Sequence, residues 1–372
     1  MRTRILCAPL LVAVIGVSVP ALESQEGWVI GPWVRASQSA VITARPESTF
    51  DDPVSGKVVH WEALHTFNPA AIVKGGKIVV LYRAEDDSGR MSIGGHTSRL
   101  GMAVSEDGIH FLREPEPVFF PSRDSQMGRE SPGGVEDPRL VEGPDGRYIL
   151  TYTQWSRDKN FFTVGVATST DLEHWTKYGP IFGTSGKYAH FKYKSAGIVT
   201  RLEGNRLIAA KINGKYWMYW GEGEIHLATS TDLIHWQPLE DGTRNPRVLL
   251  RRRPGKSDSG FPETGPPAVL TSKGIILLYN AKNAVDREGD PSVGAGAYSV
   301  QEALFSSKDP SRLMARTLLP VLQPTLPWER SGQYAAGTTF AEGLVFFHRR
   351  WWLYYGAADS FVGVAVTPKD KE

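Results

Sequence analysis

The chain has 372 residues, with 42 lysines and arginines against 40 aspartates and glutamates, so its formal net charge at pH 7 is only +2. A balance this close gives no reason to expect a nucleic acid or a membrane surface as a partner. The single cysteine cannot form a disulfide within the chain. If it is removed with a leader, the mature chain also has no thiol nucleophile.

The N-terminus has the pattern of a secretory signal peptide. Two arginines precede an apolar run over residues 5–19, and small residues then offer a cleavage site. The run is short for a bilayer span, which argues against a membrane anchor. We therefore expect residues 1–21 to be removed together with Cys7. Residues 22–372 would form one domain of a secreted or periplasmic protein, with no membrane partner after cleavage.

One short phrase recurs along the chain, as AVSEDGIHF, ATSTDLEHW and ATSTDLIHW, with weaker copies from residues 303 and 364. An alternating apolar segment with a tyrosine near its end precedes each copy, and these tyrosines are Tyr82, Tyr152, Tyr219, Tyr279 and Tyr355. Alternation punctuated by turn residues indicates strands. Five self-similar units predict an all-β fold, a five-bladed β-propeller. A six-bladed propeller, the main alternative, would need one more unit.

In a propeller the inner strands converge on a central channel, and we expect each tyrosine strand to deliver its following residues there. The position three after the repeat tyrosine holds Glu85, Trp155, Glu222 and Lys282 in the first four units. Repeats share their structural residues, so variation at a shared position indicates function. The chain is also rich in aromatic residues, with 11 Trp and 13 Tyr, which suit sugar-binding platforms as well as a core.

The stretch GGVEDPR at residues 133–139 places two carboxylates, Glu136 and Asp137, side by side before a proline. The glycines let the backbone turn, and Pro138 favours an extended conformation at Asp137. We expect one carboxylate to point into the channel while its neighbour points away and pairs with an arginine. The alternative is a turn that merely buries an Asp–Arg pair.

A series of ordered motifs resembles glycoside hydrolase family 130, namely TFNPAAI, LYRAED, GGVEDPRL, AAKINGKY, ETGPPAVLT and LYYGAADSFVGVAV. The resemblance runs from about Phe67 to Val366. It implies a five-bladed propeller that acts on β-mannosides with inversion, either as a phosphorylase, like most members, or as a hydrolase. The implied partner is a mannose-containing oligosaccharide or glycan. No cofactor or metal is expected, and none of the nine histidines has a metal-ligand spacing such as HExxH.

The same resemblance implies roles for individual residues. Asp137 corresponds to the general acid, which acts through the sugar 3-hydroxyl, and Arg139 would hold the sugar or orient the acid. The remaining substrate-binding set is Asn68, Arg83, Lys211, Asn280 and Asp359. The structural alternatives are a turn cap before Pro69 for Asn68 and a hairpin turn for Asp359.

Phosphorolysis and hydrolysis require different groups beside the anomeric carbon. Phosphate needs several cationic donors, whereas an attacking water needs a carboxylate base. Phosphorylases of the family resemble this chain at KINGKY but continue with a His-Arg-Pro-like segment, where this sequence has Trp220 or Gly221. Asn280 stands where they tend to carry histidine, and Lys211 alone is a poor phosphate site.

Two acids stand out instead, Glu222 in WGEGE and Glu263 in FPETGPP. Carboxylates would repel phosphate but would suit an activated water. The sequence leaves open which of Glu222, Glu224 and Glu263 is the principal base. Glu342 is a weaker candidate, for which we expect a structural or sugar-contact role. Two lysines in HFKYKSAG, Lys192 and Lys194, are interpreted as solvated strand residues, and the alternative is that they contact substrate.

The sequence therefore predicts an inverting glycoside hydrolase that removes terminal β-linked mannose, with β-1,2 as one candidate linkage. The first alternative is a β-mannoside phosphorylase, although export disfavours it because the sugar phosphate would form outside the cell. The second alternative is a non-catalytic glycan-binding propeller, which the three acids Asp137, Glu222 and Glu263 disfavour.

Overall fold

The computed structural model describes residues 27–369, and strands make up nearly all of its regular secondary structure. The all-β prediction is thereby confirmed. The predicted signal peptide and Cys7 lie outside the described residues. Three short helices, α1 (Met127–Glu130) and 3₁₀ helices at Lys187–His190 and Pro327–Arg330, have four residues each. In the described range no helix is thus long enough to cross a membrane.

The strands form five antiparallel units that follow one another along the chain. Three short strands come first: β1 (Val34–Arg35), β2 (Phe50–Asp52) and β3 (Lys57–Val59). The first unit contains β4 (His65–Lys74), β5 (Lys77–Glu85), β6 (Ser98–Ser105) and β7 (Leu112–Arg113). The second contains β8 (Gly134–Glu142), β9 (Tyr148–Ser156), β10 (Phe161–Ser169) and β11 (Thr176–Pro180).

The third unit has two extra short strands: it contains β12 (Ala196–Glu203), β13 (Arg206–Ala209), β14 (Lys211–Ile212), β15 (Lys215–Trp220), β16 (His226–Ser230) and β17 (Trp236–Pro238). The fourth contains β18 (Phe261–Thr264), β19 (Ala268–Thr271), β20 (Gly274–Lys282), β21 (Tyr298–Phe305) and β22 (Leu313–Arg316). The fifth contains β23 (Phe340–Phe347), β24 (Arg350–Ala357) and β25 (Phe361–Val366).

Neighbouring units meet through their first strands. Strand β4 contacts both β8 and β23, and β12 lies parallel to β19, while β13 makes a parallel bridge to β8. The strand that carries the repeat tyrosine pairs with the first strand of its unit (in the fourth unit, with β18 and β19), so it is not the innermost strand that the sequence predicted. Five apolar clusters fill the spaces between successive units and supply the burial that stabilises the fold.

The repeat tyrosines are buried, and four of them are held by the same arrangement. Each of these hydroxyls donates to a buried carboxylate, which also binds a basic side chain from the outermost strand of that unit. The sets are Tyr82–Glu62–Arg113, Tyr152–Glu130–Lys177, Tyr279–Asp258–Arg316 and Tyr355–Glu329–Arg35. Because a buried charge needs a partner, this clamp fixes the outermost strand to the strand that carries the tyrosine.

The clamp in the fifth unit explains how the sheet is completed. Its basic residue, Arg35, lies on β1, and β1 pairs antiparallel with β25, with Val34 opposite Val366. The N-terminal strand thus takes the place that β7, β11 and β22 occupy in other units. Two strands from opposite ends of the described chain therefore lie side by side in one sheet.

The recurring sequence phrase forms the same turn three times. At the first copy, Asp107 accepts bonds from the backbone N–H groups of Ile109 and His110, and Ser105 Oγ accepts one from Gly108. The turns around Asp171 and Asp232 repeat this pattern. The histidine in each turn is exposed, so the most conspicuous repeat of the sequence has an architectural role.

Candidate active site

A cavity of about 340 Å³ lies at the ends of the first and second strands, and all five units contribute to it. Its polar lining is Asn68, Arg83, Glu136, Asp137, Thr153, Lys194, Glu222, Glu263, Lys282 and Asp359. Its aromatic lining is Phe67, Trp155, Phe162, Tyr298, Tyr334 and Phe340. The structure thus brings together Asp137, Glu222, Glu263, Asn68, Arg83 and Asp359 from the predicted set.

Three of these side chains, Asn68, Asp137 and Asp359, share an unusual backbone conformation, with φ of 47°, 49° and 48°. At Asn68 and Asp137 the strand pairing is also interrupted by a bulge. Asn and Asp tolerate the left-handed region better than most residues, and bulges redirect side chains next to active sites. The extended conformation predicted at Asp137 is therefore wrong, because the bulge overrides the preference that Pro138 imposes.

One arginine organises the carboxylates on this side of the cavity. Arg83 Nη2 lies 2.7 Å from Glu85 and 2.8 Å from Glu136, and its Nη1 lies 3.1 Å from Asp137. We call these four residues the Arg83 cluster. The prediction that one acid of the EDPR motif would point away from the site is wrong, since both Glu136 and Asp137 line the cavity. Alternation fails here because the bulge resets the strand face.

Asp137 is held firmly by its neighbours. Its Oδ1 accepts from Asn68 Nδ2 at 2.7 Å and from Arg83 Nη1 at 3.1 Å. Burial acts to raise the pKa of Asp137, but the charges of Arg83, Lys194 and Arg139 outweigh burial and lower this pKa to about 2. Burial and the Asp137 charge instead raise the pKa of Glu136 to about 7.

Arg139 supports the acid from behind. It is buried, and it donates to the backbone oxygens of Asp137, Thr264 and Gly265 at 2.9, 2.8 and 3.2 Å. Its Nη1 also lies 2.9 Å from Glu342, whose pKa burial raises. These contacts suit the orienting role, one of the two predicted for Arg139, and they give Glu342 a structural contact.

A second group of charges in the cavity lining consists of Lys194, Glu222 and Glu263, which we call the Lys194 cluster. The backbones of Glu222 and Glu263 form an isolated antiparallel bridge. Lys194 Nζ lies 3.9 Å from Glu222 Oε1, and Ser195 Oγ donates to Glu263 Oε1 at 2.5 Å. Burial opposes the charge of Lys194, but Glu222, Glu263, Asp137 and Glu136 outweigh burial and raise the lysine pKa.

The two glutamates of this cluster differ in their access to solvent. The Glu222 side chain is 30% exposed, whereas Glu263 is 1% exposed. Burial, reinforced by the Glu222 charge, raises the pKa of Glu263 to about 8. Burial therefore favours the protonated form of Glu263, and Glu222 is the accessible acid of this cluster.

Lys194 is the site residue that sequence reasoning missed. It was interpreted as a solvated strand residue, but the segment 191–195 is irregular and turns Lys194 into the cavity, while Lys192 stays exposed. The available signal was position: Lys194 directly precedes Ser195 and the first strand of the third unit. The site residues Asn68 and Asp137 likewise lie near the start of the first strand in the first and second units.

Besides Arg139, two residues of the predicted substrate-binding set do not reach the cavity. Lys211 is exposed on β14, with its ammonium 4.9 Å from the Tyr216 ring. Asn280 is buried and exchanges two bonds with the backbone of Ala341, at 3.1 and 2.8 Å, and so joins the fourth and fifth units. Glu224, the competing base candidate, pairs with Arg251 at the surface and also lies outside the cavity lining.

The positions three after the repeat tyrosine behave largely as predicted. Trp155, Glu222 and Lys282 line the cavity, and Glu85 lies behind it in the Arg83 cluster. The indole of Trp155 donates to Gly94 O at 3.2 Å, and Lys282 lies over the Phe261, Tyr298 and Tyr334 rings. Between residues 27 and 369, no three His, Cys, Asp or Glu side chains are grouped so as to hold a metal ion.

The family follows from comparison with known proteins. A family model described as β-1,4-mannooligosaccharide phosphorylase, that of glycoside hydrolase family 130, matches residues 34–371. The chain belongs to glycoside hydrolase family 130. Among curated family relatives, a 1,2-β-oligomannan phosphorylase of Thermoanaerobacter sp. (strain X514) is 32% identical over 82% of this chain and 90% of its own length.

Solved structures of the family include closer relatives. A glycosyl hydrolase from Bacteroides ovatus is 45% identical, with a TM-score of 0.90 over 94% of this chain and 97% of that one. A second structure has the same identity, TM-score and coverages. It is reported for glycoside hydrolases of the mannoside phosphorylase family GH130 that target β-1,2-mannosidic linkages in Candida mannan. A β-1,2-mannobiose phosphorylase from Listeria innocua, 21% identical with a TM-score of 0.70 over 90% of this chain and 96% of that one, shares the fold.

Proposed function

We propose that this protein is an inverting β-mannosidase that hydrolyses terminal β-1,2-linked mannose from oligosaccharides or glycans, and that its five units are the blades of a β-propeller. The observation that carries the hydrolytic assignment is the Lys194 cluster. A phosphorylase needs several cations beside the anomeric carbon. Here two glutamates share one lysine, so the cluster suits a neutral water and repels a dianion.

Asp137 is the residue that delivers the proton to the leaving oxygen. Asn68 and Arg83 fix one of its oxygens, Oδ1, which leaves Oδ2 to face the sugar. Across the cavity, Glu222 accepts the proton of the attacking water, because it is the accessible glutamate of its cluster. Glu263, neutral at pH 7, holds the same water by hydrogen bonds. An inverting enzyme needs this separation of acid and base, with water between base and sugar.

The similar proteins divide between hydrolases and phosphorylases. The solved structures at 45% identity are described as glycoside hydrolases, including one reported for enzymes that target β-1,2-mannosidic linkages. The curated relatives at 30 and 32% identity are phosphorylases of β-1,2-mannosides, so phosphorolysis is the second candidate function. Both candidates share the substrate class and the acid step, and they differ only in the nucleophile.

Incubation with β-1,2-, β-1,3- and β-1,4-mannobiose, with and without inorganic phosphate, separates the candidates. We expect free mannose from the β-1,2-linked substrate at a rate that phosphate does not raise, and α-mannose as the first anomer seen by proton NMR. Release of mannose 1-phosphate only in the presence of phosphate would establish the phosphorylase instead. Binding without turnover under either condition would indicate a glycan-binding protein.

A further inference from the structure

The Arg83 cluster contains more carboxylates than one guanidinium can balance. Glu85 and Glu136 both bind Nη2 of Arg83, at 2.7 and 2.8 Å, and Asp137 binds Nη1 at 3.1 Å. All three carboxylates are buried. Two further cations, Lys194 and Arg139, act on Asp137, but Lys194 also lies beside Glu222, and Asp359 adds a fourth buried carboxyl near Arg83. Because unbalanced buried charge is strongly unfavourable, one of these acids must hold a proton.

We propose that Glu136 holds the proton that the leaving oxygen receives, and that Glu136 and Asp137 act as a pair that shares this single proton. The inference rests on the proposed function, because it concerns the acid step of glycosidic cleavage. Neighbouring carboxylates that cannot both ionise commonly titrate as one unit, and such a pair keeps one proton over a wide pH range.

The contacts of each acid decide which one holds the proton at rest. Asp137 accepts two bonds from protein donors at Oδ1, and these favour its charged form. Glu85 accepts from Gln333 as well as from Arg83, and it does not line the cavity. Glu136 lines the cavity, and Ser98 Oγ is its weaker donor at 3.4 Å. The charged groups that face Glu136 are Arg83, Asp137, Lys194 and Glu85.

The titration of the two acids agrees with this arrangement. The pKa of Asp137 is lowered to about 2, so Asp137 alone would lack a proton at neutral pH and could not act as an acid. The pKa of Glu136 is raised to about 7 by burial and by the Asp137 charge. Between these two values the pair carries one proton, which Asp137, held by Asn68 and Arg83, can pass towards the sugar.

The chemical step then balances. The bond between the anomeric carbon and the leaving oxygen breaks, and that oxygen receives the proton of the pair. Water adds its hydroxyl to the anomeric carbon and gives its own proton to Glu222. Glu136 is left as a carboxylate that Arg83 stabilises. Before the next turnover Glu222 releases its proton to solvent, and the Glu136–Asp137 pair takes one up.

Glu136→Gln tests the proposal through its pH profile. In the wild type the basic limb of kcat/KM lies near pH 7, where the pair loses its proton. In the variant only Asp137 remains, and we expect the limb to move at least about two pH units lower. At pH 7, mannobiose turnover falls about 100-fold or more, while a dinitrophenyl mannoside, whose leaving group needs no proton, loses less than about tenfold. Equal losses with an unmoved limb would overturn the proposal.

Glu85→Gln is the matched control, because Glu85 binds the same Arg83 nitrogen but does not line the cavity. We expect it to keep the basic limb in place, even if its rate falls. A limb that shifts as far as in Glu136→Gln would show that any charge lost beside Arg83 has this effect. Should Glu136→Gln fold poorly, Glu136→Asp retains a titrating carboxyl and keeps the limb within about one pH unit of the wild type. A larger shift contradicts the inference.

Infrared spectroscopy of the free protein tests the proton without turnover, so its result does not depend on the proposed reaction. The difference between wild type and Glu136→Gln should contain a protonated carboxyl band that disappears as pH rises through about 7. Its absence would refute the resting proton on Glu136 even in an active hydrolase. Its presence in a protein that turns over no mannoside would preserve the pair and reject the proposed function.

Discussion

The Arg83 cluster and the Lys194 cluster line the same cavity, and each places two acidic side chains in that lining beside a cation. They differ in contact and in access. The two cavity acids beside Arg83 lie within 3.1 Å of its guanidinium, whereas the ammonium of Lys194 lies 3.9 Å from Glu222 and the Glu222 side chain is 30% exposed. A tightly held pair suits the delivery of a proton, and an accessible carboxylate suits the activation of water.

The largest effect is expected at the acid. Asp137→Asn removes the group that passes the proton, and because general acid catalysis contributes about 10²–10⁴-fold, mannobiose hydrolysis should fall by at least that factor. An aryl mannoside with a good leaving group, if accepted, should retain more activity. Rates for a series of aryl mannosides check this. A loss that does not depend on leaving-group pKa would place Asp137 outside the acid step.

The next largest effect distinguishes the two glutamates of the Lys194 cluster. Glu222→Gln removes the base and should slow all substrates alike by about 10²–10⁴-fold. Glu263→Gln should cost less, about tenfold, because glutamine imitates the neutral carboxyl that burial maintains there. The double variant should be little worse than Glu222→Gln.

Azide provides the check on this pair. In Glu222→Ala an azide ion can replace the water, and we expect partial recovery with an inverted glycosyl azide as product. If Glu263→Gln is the more damaged variant and Glu263→Ala is the one that azide restores, the assignment of the base is reversed.

A smaller effect is expected at the lysine that faces both clusters. Lys194→Met removes a positive charge that lowers the pKa of Glu263, Glu136 and Asp137. Those pKa values should rise, so the Glu136–Asp137 pair keeps its proton to higher pH and the basic limb of kcat/KM should move up by about one unit. A basic limb that stays in place would show that Lys194 does not set the ionisation of these acids.

The smallest effects are expected outside the cavity. Lys211→Ala and Glu224→Gln change a surface residue and a surface ion pair, so kcat/KM for mannobiose should stay within about twofold of the wild type. These variants also serve as matched controls for Lys194→Met and Glu222→Gln. A tenfold loss in either would mean that substrate extends beyond the cavity described.

The architecture was accessible from the sequence because its units repeat the same chemistry. Tyr82, Tyr152, Tyr279 and Tyr355 need a buried acid and an outer-strand cation, and the turn around Asp107 needs a fixed order of polar residues, so both leave marks at regular intervals. The order of strands within a unit was not accessible, since the innermost strands carry no comparable mark.

The site was accessible only in part, and for two physical reasons. Motif resemblance located Asp137, Glu222 and Glu263, but the bulge at Glu136 reverses the strand face, and no rule of alternation anticipates a left-handed Asp137. Lys194 lies in an irregular segment whose course depends on the units around it. Asn280 was placed in the site by analogy, although it instead bonds to the backbone of Ala341.

Strand β1 places the two ends of the described range close together. Val34 lies opposite Val366, and Arg35 holds Glu329, so the fifth sheet is assembled from both ends of the described range, residues 27–369. The two ends are thus neighbours in space, and a short peptide could join them while new termini are opened in a surface turn such as the one at Asp171. Such a circular permutant would keep every strand pair, whereas deletion of residues 27–35 would bare the long edge of β25 and invite exchange of strands between molecules.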